Sequence, residues 1–460
     1  MNNISPIIDT HCHIYYKEFQ QDWDGMLQRA KAAGISGMVV IGVDAASSYE
    51  SVRIAAMYPD IYCTVGIHPH DAAAADESII AEITRLAADN PKVVAIGEIG
   101  LDFYRDRSPR DQQEYIFKRF LQIALDLDKP VVIHDRDAHE ETLQAIKDAG
   151  VKRGVMHCFS GDVDFAKRCV EQGFYLSIPG TVTYPSNQQL RDVVAAIPIE
   201  HLLLETDCPY LSPVPHRGKR NEPAYTRITA EKVAEIKGLS LDDVARITTM
   251  NAGRLFGISL WDSSTKIAYK IRNSLYLNIT NRCSNACSFC SKFDEFTVKG
   301  HNLMLDHEPG FEEVMAAIAD PGNVDEIVFC GFGEPLLRVE LVRQVAAAFK
   351  KQGYRIRINT DGQANLVHGR NILPELGGLV DSISVSLNAP DAAVYGKLCN
   401  TPFGEAGFAA VCNFIQGATE FIPDVTATAV TVPGVDIAAC RQLAESLGVQ
   451  FRVREFSEVG

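Results

Sequence analysis

At 460 residues the chain exceeds what one hydrophobic core usually organises, so two domains are expected. A hydrophobic content of 46% and a charged content of 22% are those of a soluble globular protein. A net charge of −15 opposes sequence-blind binding of DNA by the whole surface, though not an enzyme that takes one strand end into a pocket.

No apolar run is long enough to span a bilayer, so no membrane partner is expected. The start, MNNISPIIDT, has neither the basic end nor the apolar centre of a secretory signal, which points to a cytoplasmic location. Short apolar β-rich runs then alternate with amphipathic stretches, the rhythm of parallel α/β units. Eight such runs fall at 7–13, 37–43, 62–69, 93–102, 130–135, 154–159, 175–180 and 202–209. They predict an α/β fold with an N-terminal (β/α)8 TIM barrel over 1–258, closed by a helix near 240–256. The stretch 259–267 reads as a linker. Six more runs follow at 275–280, 326–331, 355–359, 382–388, 426–432 and 450–456. Six units are too few for a closed barrel, so a partial, open (β/α)6 barrel is predicted over 268–460.

Acidic and histidine side chains gather where the first set of strands ends. His11 and His13 lie two residues apart on one strand and therefore face one side, the geometry for two imidazoles on one ion. Glu98 has two oxygens and can bridge two ions; His134 and His157 offer nitrogen to the second, and Asp207 adds a hard oxygen to the first. Mixed nitrogen and oxygen donors suit Zn, Mn or Mg. Two ions about 3.5–4 Å apart activate a water and steady the leaving oxygen of a phosphodiester. A lone His-x-His is more often a surface or core pair; it is the coincidence of all these residues at strand ends that points to metal. Glu205 fits either a supporting role or the barrel wall. Cys12, Cys158 and Cys208, each beside a candidate ligand, are read as structural thiols facing away by strand alternation.

The blocks DTHCH (9–13), GIHPH (66–70), AIGEIGLD (95–102), VIHDRDA (132–138), MHCFSG (156–161), LLLETDCPYLSP (202–213) and HRGKRNEP (216–223) resemble the TatD family of metal-dependent deoxyribonucleases. The resemblance covers the whole N-terminal domain. It implies His11, His13, Glu98, His134, His157 and Asp207 as ligands of two divalent ions, with Glu98 and Asp207 also catalytic and Asp207 handling the proton of the attacking water. His68, after strand three, is a candidate contact to substrate phosphate or water. Arg217, after strand eight, offers a fork for phosphate, whereas Lys219 and Arg220 read as a solvated loop.

Cys283, Cys287 and Cys290 carry different chemistry. Three thiolates can hold three irons of a 4Fe-4S cubane, leaving one iron for the amino and carboxylate groups of S-adenosylmethionine. An electron from such a cluster breaks a carbon–sulfur bond and yields an adenosyl radical. A zinc knuckle would need a fourth ligand, for which His301 is the nearest candidate and stands alone. The spacing resembles the radical S-adenosylmethionine (radical SAM) superfamily over 268–460. That resemblance places Phe289 beside the adenine. It likens Gly331, Gly333 and Glu334 to a GGEP motif, with Phe332 where the motif's first glycine stands. Asn359 and the pair Ser386 and Asn388 end the next two strands, where the family often binds ribose or carboxylate.

The expectation is a natural fusion: a deoxyribonuclease-type hydrolase acting on DNA or nucleotides, joined to a radical SAM enzyme with an unknown substrate and an electron donor such as flavodoxin or ferredoxin. Two other readings remain open. The barrel could hydrolyse a substrate that is not nucleic acid, or present a substrate to the radical domain.

Overall fold

The structure, a computed structural model, describes residues 5–293 and 295–456. It divides into two compact units, Met1–Trp261 and Asp262–Gly460. Among the described residues no helix is long and apolar enough to cross a membrane.

The first unit holds eight strands: β1 (Ile7–Cys12), β2 (Ile35–Ile41), β3 (Ile61–Val65), β4 (Val93–Asp102), β5 (Val131–Arg136), β6 (Gly154–Met156), β7 (Phe174–Ile178) and β8 (Leu202–Leu204). They pair in that order, all parallel. The ring closes where Cys12 bridges Cys208, with Asp207 N–H donating to the His11 carbonyl at 2.9 Å and His13 N–H to the Cys208 carbonyl at 2.9 Å. Every residue of β4 is buried, as a strand covered on both faces requires. Inside the barrel, Ile8, Val39, Val94, Val132, Val155 and Leu203 form one apolar cluster with Leu255, Phe256 and Ile258. The last three belong to the helix Leu241–Phe256 and the residues just after it, which the Ser240–Asp243 capping box starts and Gly257, at φ 67°, ends. Asn251 on this helix donates to the carbonyls of Ile199 and Leu202, at 2.9 and 2.8 Å, and ties it to β8.

The second unit adds to the expected six strands. Its main sheet has seven strands among the described residues. The expected six are β10 (Ser274–Leu277), β13 (Glu326–Phe329), β14 (Ile356–Thr360), β15 (Ser382–Ser386), β16 (Asp424–Val430) and β17 (Gln450–Arg454), all parallel. The extra strand β9 (Ala268–Ile271) pairs antiparallel with β10 across the two residues Arg272 and Asn273. A small ribbon joins β11 (Thr297–Val298) to β12 (His301–Asn302). Strands of two to four residues are too short to show a period, so nothing in the residue pattern marks these pieces. Within the stretch read as a linker, Leu260 packs on the first unit's interior cluster, whereas Lys266 N–H donates to the Asn302 carbonyl at 2.8 Å.

Candidate functional site

At the C-terminal ends of the barrel strands, four imidazoles and two carboxylates converge on one buried space. His11 Nε2 and His13 Nε2 lie 3.3 Å apart, and Asp207 Oδ1 is 3.7 and 3.2 Å from them. Glu98 stands between two groups. Its Oε2 is 3.4 Å from His11, while its Oε1 is 2.8 Å from His134 Nδ1 and 2.9 Å from His157 Nε2. Two of the triads whose donor atoms lie within 4.8 Å of one another, His11–His13–Glu98 and His68–Glu98–His134, share this one carboxylate. Burial alone pushes the Glu98 carboxyl up, but the charges of His157 and His68 and hydrogen bonds from His11 and His134 outweigh it, so it stays well below its ordinary value.

The backbone explains how Glu98 reaches this position. Gly97 and Gly100 flank it, at φ 157° and 145°. A Cβ on Gly100 would stand 1.9 Å from the His134 carbonyl oxygen, and one on Gly97 would stand 2.6 Å from Val132 Cβ. Only glycine lets β4 lie this close to β5.

Two of the four ligand histidines, His134 and His13, are oriented by a hydrogen-bond partner behind the ring. Asp102 Oδ2 takes His134 Nε2 at 3.2 Å and His70 Nε2 at 2.8 Å. Its Oδ1 accepts the N–H groups of Tyr104 and Arg105 at 3.1 and 2.7 Å. Glu205 Oε1 lies 3.7 Å from His157 Nδ1 and accepts Cys158 N–H at 2.7 Å. Tyr15 OH meets His13 Nδ1 at 3.1 Å. A carboxylate holding the far nitrogen fixes the tautomer and turns the lone pair inward. Of these supports, Glu205 fits two roles by sequence alone, and Asp102, His70 and Tyr15 carry no separate signal there. The pointer to Asp102 is shared with Glu98, since it ends the same buried strand four residues on.

His68 stands apart. Its Nδ1 accepts the His70 N–H at 3.1 Å, so in the neutral ring Nε2 carries the hydrogen, aimed at Glu98 Oε1 3.4 Å away. Burial and then the charge of His134 lower its pKa to about 4, so the ring is neutral at pH 7. Arg217 lies outside the cluster, exposed, with its guanidinium 4.5 Å from the Tyr184 ring centre. Arg220 is paired with Asp22 and Glu222 at 2.6 and 3.1 Å, and so belongs to the framework of the loop. Cys158 lies two residues past β6, where strand alternation no longer sets direction; burial and then the charges of Glu205, Asp207 and Glu98 push its thiol up.

In the second unit, Cys283, Cys287 and Cys290 stand half-buried on an irregular loop, none of them in a disulfide. His301, on β12, has its Nε2 3.0 Å from the Lys270 carbonyl oxygen of β9. Gly333 lies against this loop, since a Cβ there would meet the carbonyls of Thr280 and Arg282 at 2.1 and 2.7 Å. Gly331 packs likewise on Asn278, whose Oδ1 would be 2.3 Å from a Cβ. Glu334 is turned inward. Its Oε1 accepts Thr360 Oγ1 and Leu336 N–H at 2.9 and 2.8 Å, and its Oε2 accepts Asp361 N–H at 2.6 Å. Burial, then the nearby Asp361 charge, raise its pKa well above normal. Phe289 is half-buried, Asn359 accepts from Arg357 at 2.6 Å, and Ser386 ends β15. Asn388 sits at φ 55° with a buried side-chain oxygen that has no hydrogen-bond partner among the described residues.

The donor chemistry fits divalent cations in the first unit and an iron–sulfur cluster in the second. Nitrogen lone pairs and carboxylates packed this closely in a buried space suit divalent cations. Three undisulfided thiols on one partly exposed loop suit an iron–sulfur cluster.

Residues 8–257 match the family of TatD related DNases, and residues 277–447 match the radical SAM superfamily. The chain is similar to an uncharacterized metal-dependent hydrolase, YabD, of Bacillus subtilis (strain 168), 41% identical over 255 residues that make up 55% of this chain and 100% of the relative. It is also similar to the 3'-5' ssDNA/RNA exonuclease TatD of Erwinia tasmaniensis, 36% identical over 55% of this chain and 100% of that protein. The crystal structure of YJJV, a TatD homolog from Escherichia coli K12, superposes with a TM-score of 0.53 at 31% identity, covering 55% of this chain and 98% of its own.

Proposed function

Because the chain belongs to the TatD-related DNase family and carries a radical SAM domain, we propose that it joins two enzymes: a two-metal phosphodiesterase for single-stranded DNA ends and a reductive S-adenosylmethionine cleaver. The carrying observation for the first is the single carboxylate, Glu98, whose Oε2 faces His11 at 3.4 Å while its Oε1 faces His134 and His157 at 2.8 and 2.9 Å. His11, His13 and Asp207 would hold one ion, and His134 and His157 the other, with Glu98 between them. Bound there, the two ions would acidify a water and steady the leaving oxygen. The chain's own residues supply the rest. Asp207 accepts the proton of the water. Asp102 and Tyr15 keep the lone pairs of His134 and His13 inward. His68, neutral and with N–H at Nε2, donates to a phosphate oxygen or to water. Arg217 holds a phosphate of the entering strand.

In the radical domain Cys283, Cys287 and Cys290 would hold the 4Fe-4S cluster. When bound, that cluster supplies S-adenosylmethionine with one electron, delivered by a flavodoxin- or ferredoxin-like donor. Phe289 would lie beside the adenine. Gly331 and Gly333 would bring backbone carbonyls near the ammonium, and Asn359, Ser386 and Asn388 would meet the ribose or carboxylate. The open acceptor on Asn388 supports that last role. Glu334 acts from behind, because its oxygens already join the ends of β13 and β14.

The test of the hydrolase is turnover of 3'-labelled single-stranded DNA together with metal analysis. Glu98→Ala and Asp207→Ala should each slow cleavage by at least ~100-fold, with Glu98→Ala also lowering the metal content. Unchanged cleavage in the double variant would sink the assignment.

A further inference from the structure

A second feature stands beside the metal-type cluster. Tyr104 follows β4 two residues after Asp102, which holds its backbone N–H at 3.1 Å. Arg136 ends β5 two residues after His134, so strand alternation puts both on the same side. The Arg136 guanidinium carbon lies 4.1 Å from the Tyr104 ring centre.

Tyr104 is 56% exposed. Two other exposed tyrosines of this unit, Tyr49 and Tyr115, anchor their hydroxyls on Glu82 and Glu77 at 2.6 and 2.7 Å. Among the described residues no such bond is found for Tyr104. Nor does any described carboxylate lie within ion-pair distance of Arg136, although the chain carries 59 acidic residues. Many arginines of this unit, Arg29, Arg53, Arg119, Arg153, Arg168 and Arg220 among them, do have such a partner. A planar cation without a counter-ion, stacked on an exposed ring at the mouth of a phosphodiester-type site, is matched in charge and shape to a nucleotide. A second aromatic line starts from the cluster at His13. His13 and Tyr16 have ring centres 5.5 Å apart, and Tyr16 and the 55% exposed Tyr210 are 6.1 Å apart.

We propose that Tyr104 and Arg136 form a nucleotide subsite next to the scissile phosphodiester, with the Tyr104 ring carrying an unpaired base and the Arg136 fork holding the adjoining, uncleaved phosphate. The proposal rests on the nucleic-acid reading of the site given above. A ring reaches the face of a base only when that base is unstacked from its neighbours, so the subsite selects single strands and strand ends. Stacking is tolerant of base identity because every base has a π-face, so little sequence preference is expected.

The experiment compares two probes on the metal-loaded full chain: a short single-stranded deoxyoligonucleotide and the base-free diester bis(p-nitrophenyl) phosphate. Tyr104→Ala should lower kcat/KM for the oligonucleotide at least ~10-fold more than for the base-free diester. Tyr104→Trp should restore most of that ratio. Arg136→Gln should raise KM for the oligonucleotide and flatten its salt dependence. Binding of a fluorescent phosphorothioate oligonucleotide, read by anisotropy, should weaken when the base for this subsite is replaced by an abasic residue, and Tyr104→Ala should erase that difference. Equal losses on both probes, or equal binding of abasic and intact strands by the wild type, would overturn the subsite while the nuclease reading stands. A wild type that cleaves the base-free diester and neither cleaves nor binds the oligonucleotide would overturn both.

Discussion

In the barrel unit the candidate ligands lie on the barrel strands or just after them, and two of the four rings, His13 and His134, have a hydrogen-bond partner behind them. In the radical unit the three thiols ride a loop, residues 281–290, that has no regular element of its own. Its shape comes from cross-links to distant segments. Ala286 and Ser288 donate their N–H groups to the carbonyls of Cys399 and Leu398 at 3.1 and 2.9 Å, at the end of the helix Ala392–Cys399. Asn285 Nδ2 donates to Tyr395 OH at 3.1 Å, Gln363 Nε2 donates to Asn285 Oδ1 at 2.6 Å, and Ser284 donates to Asp361. A strand fixes the direction of a side chain by itself, so one acid behind it is enough to set the ring. A loop has to be fixed by many weaker ties. The first site should therefore fail through single residues, and the second through its scaffold.

The largest effect expected is the loss of a whole function from one unit. Replacing Cys283, Cys287 and Cys290 together should abolish the iron–sulfur absorbance and the formation of 5'-deoxyadenosine from S-adenosylmethionine under a strong reductant. DNA hydrolysis should persist, because its ligands lie in the other unit. Tightly bound zinc after anaerobic reconstitution with iron would break this half of the comparison.

The next effect tests the acid behind a ring. Asp102→Asn keeps the shape but cannot accept the His134 Nε2–H as strongly, and its amide can present the wrong hydrogen. Metal affinity or cleavage rate should fall about 10–100-fold, the range for losing an outer-shell carboxylate. Metal titration and cleavage assays read both. A change under twofold in both would mean that the strand end alone orients His134.

How much of this was legible depends on which residues repeat a period. The eight barrel strands and the ligands at their ends stood out because apolar runs and polar strand ends alternate over long distances. Glu98 and His134 announce themselves as chemistry; Asp102 and Tyr15 do not, since an acid or a tyrosine after an apolar run is ordinary until the histidine it touches is known. The cysteine spacing identified the loop, while its supports, Gln363, Tyr395 and Asp361, lie roughly 70 to 110 residues away and carry no local signal. Glu334 illustrates the limit of motif reading. Its place in the motif pointed to the cofactor, but its oxygens are turned toward Thr360, Leu336 and Asp361.

A smaller effect is expected from the scaffold of the cysteine loop. Gln363 is fully buried and joins Asn285, Tyr395 and Thr401, the last donating to its Oε1 at 2.7 Å. Gln363→Ala would leave these polar groups without their partner at a cost of about 1–3 kcal/mol. Its reading is iron retained per chain after dilution under anaerobic conditions, which should drop while DNA cleavage does not. Full retention would mean that the backbone ties to Leu398 and Cys399 suffice.

The smallest effect concerns those backbone ties. Asp391 caps the helix Ala392–Cys399, accepting the Val394 N–H at 2.9 Å. Asp391→Ala removes the cap and costs about 1 kcal/mol. The far end of that helix carries the two carbonyls that receive Ala286 and Ser288, so fraying would reach the cysteine loop through the helix and not through any direct contact. Calorimetry of the full chain should show the transition of the radical unit falling by about 2–4 °C, with the barrel transition unmoved. Iron retention should fall less than in Gln363→Ala, because the helix is also held by Tyr395, which is buried in the core of its unit. A larger iron loss from Asp391→Ala than from Gln363→Ala would reverse the order of the two supports and make the helix end, rather than the buried amide network, the element that shapes the loop.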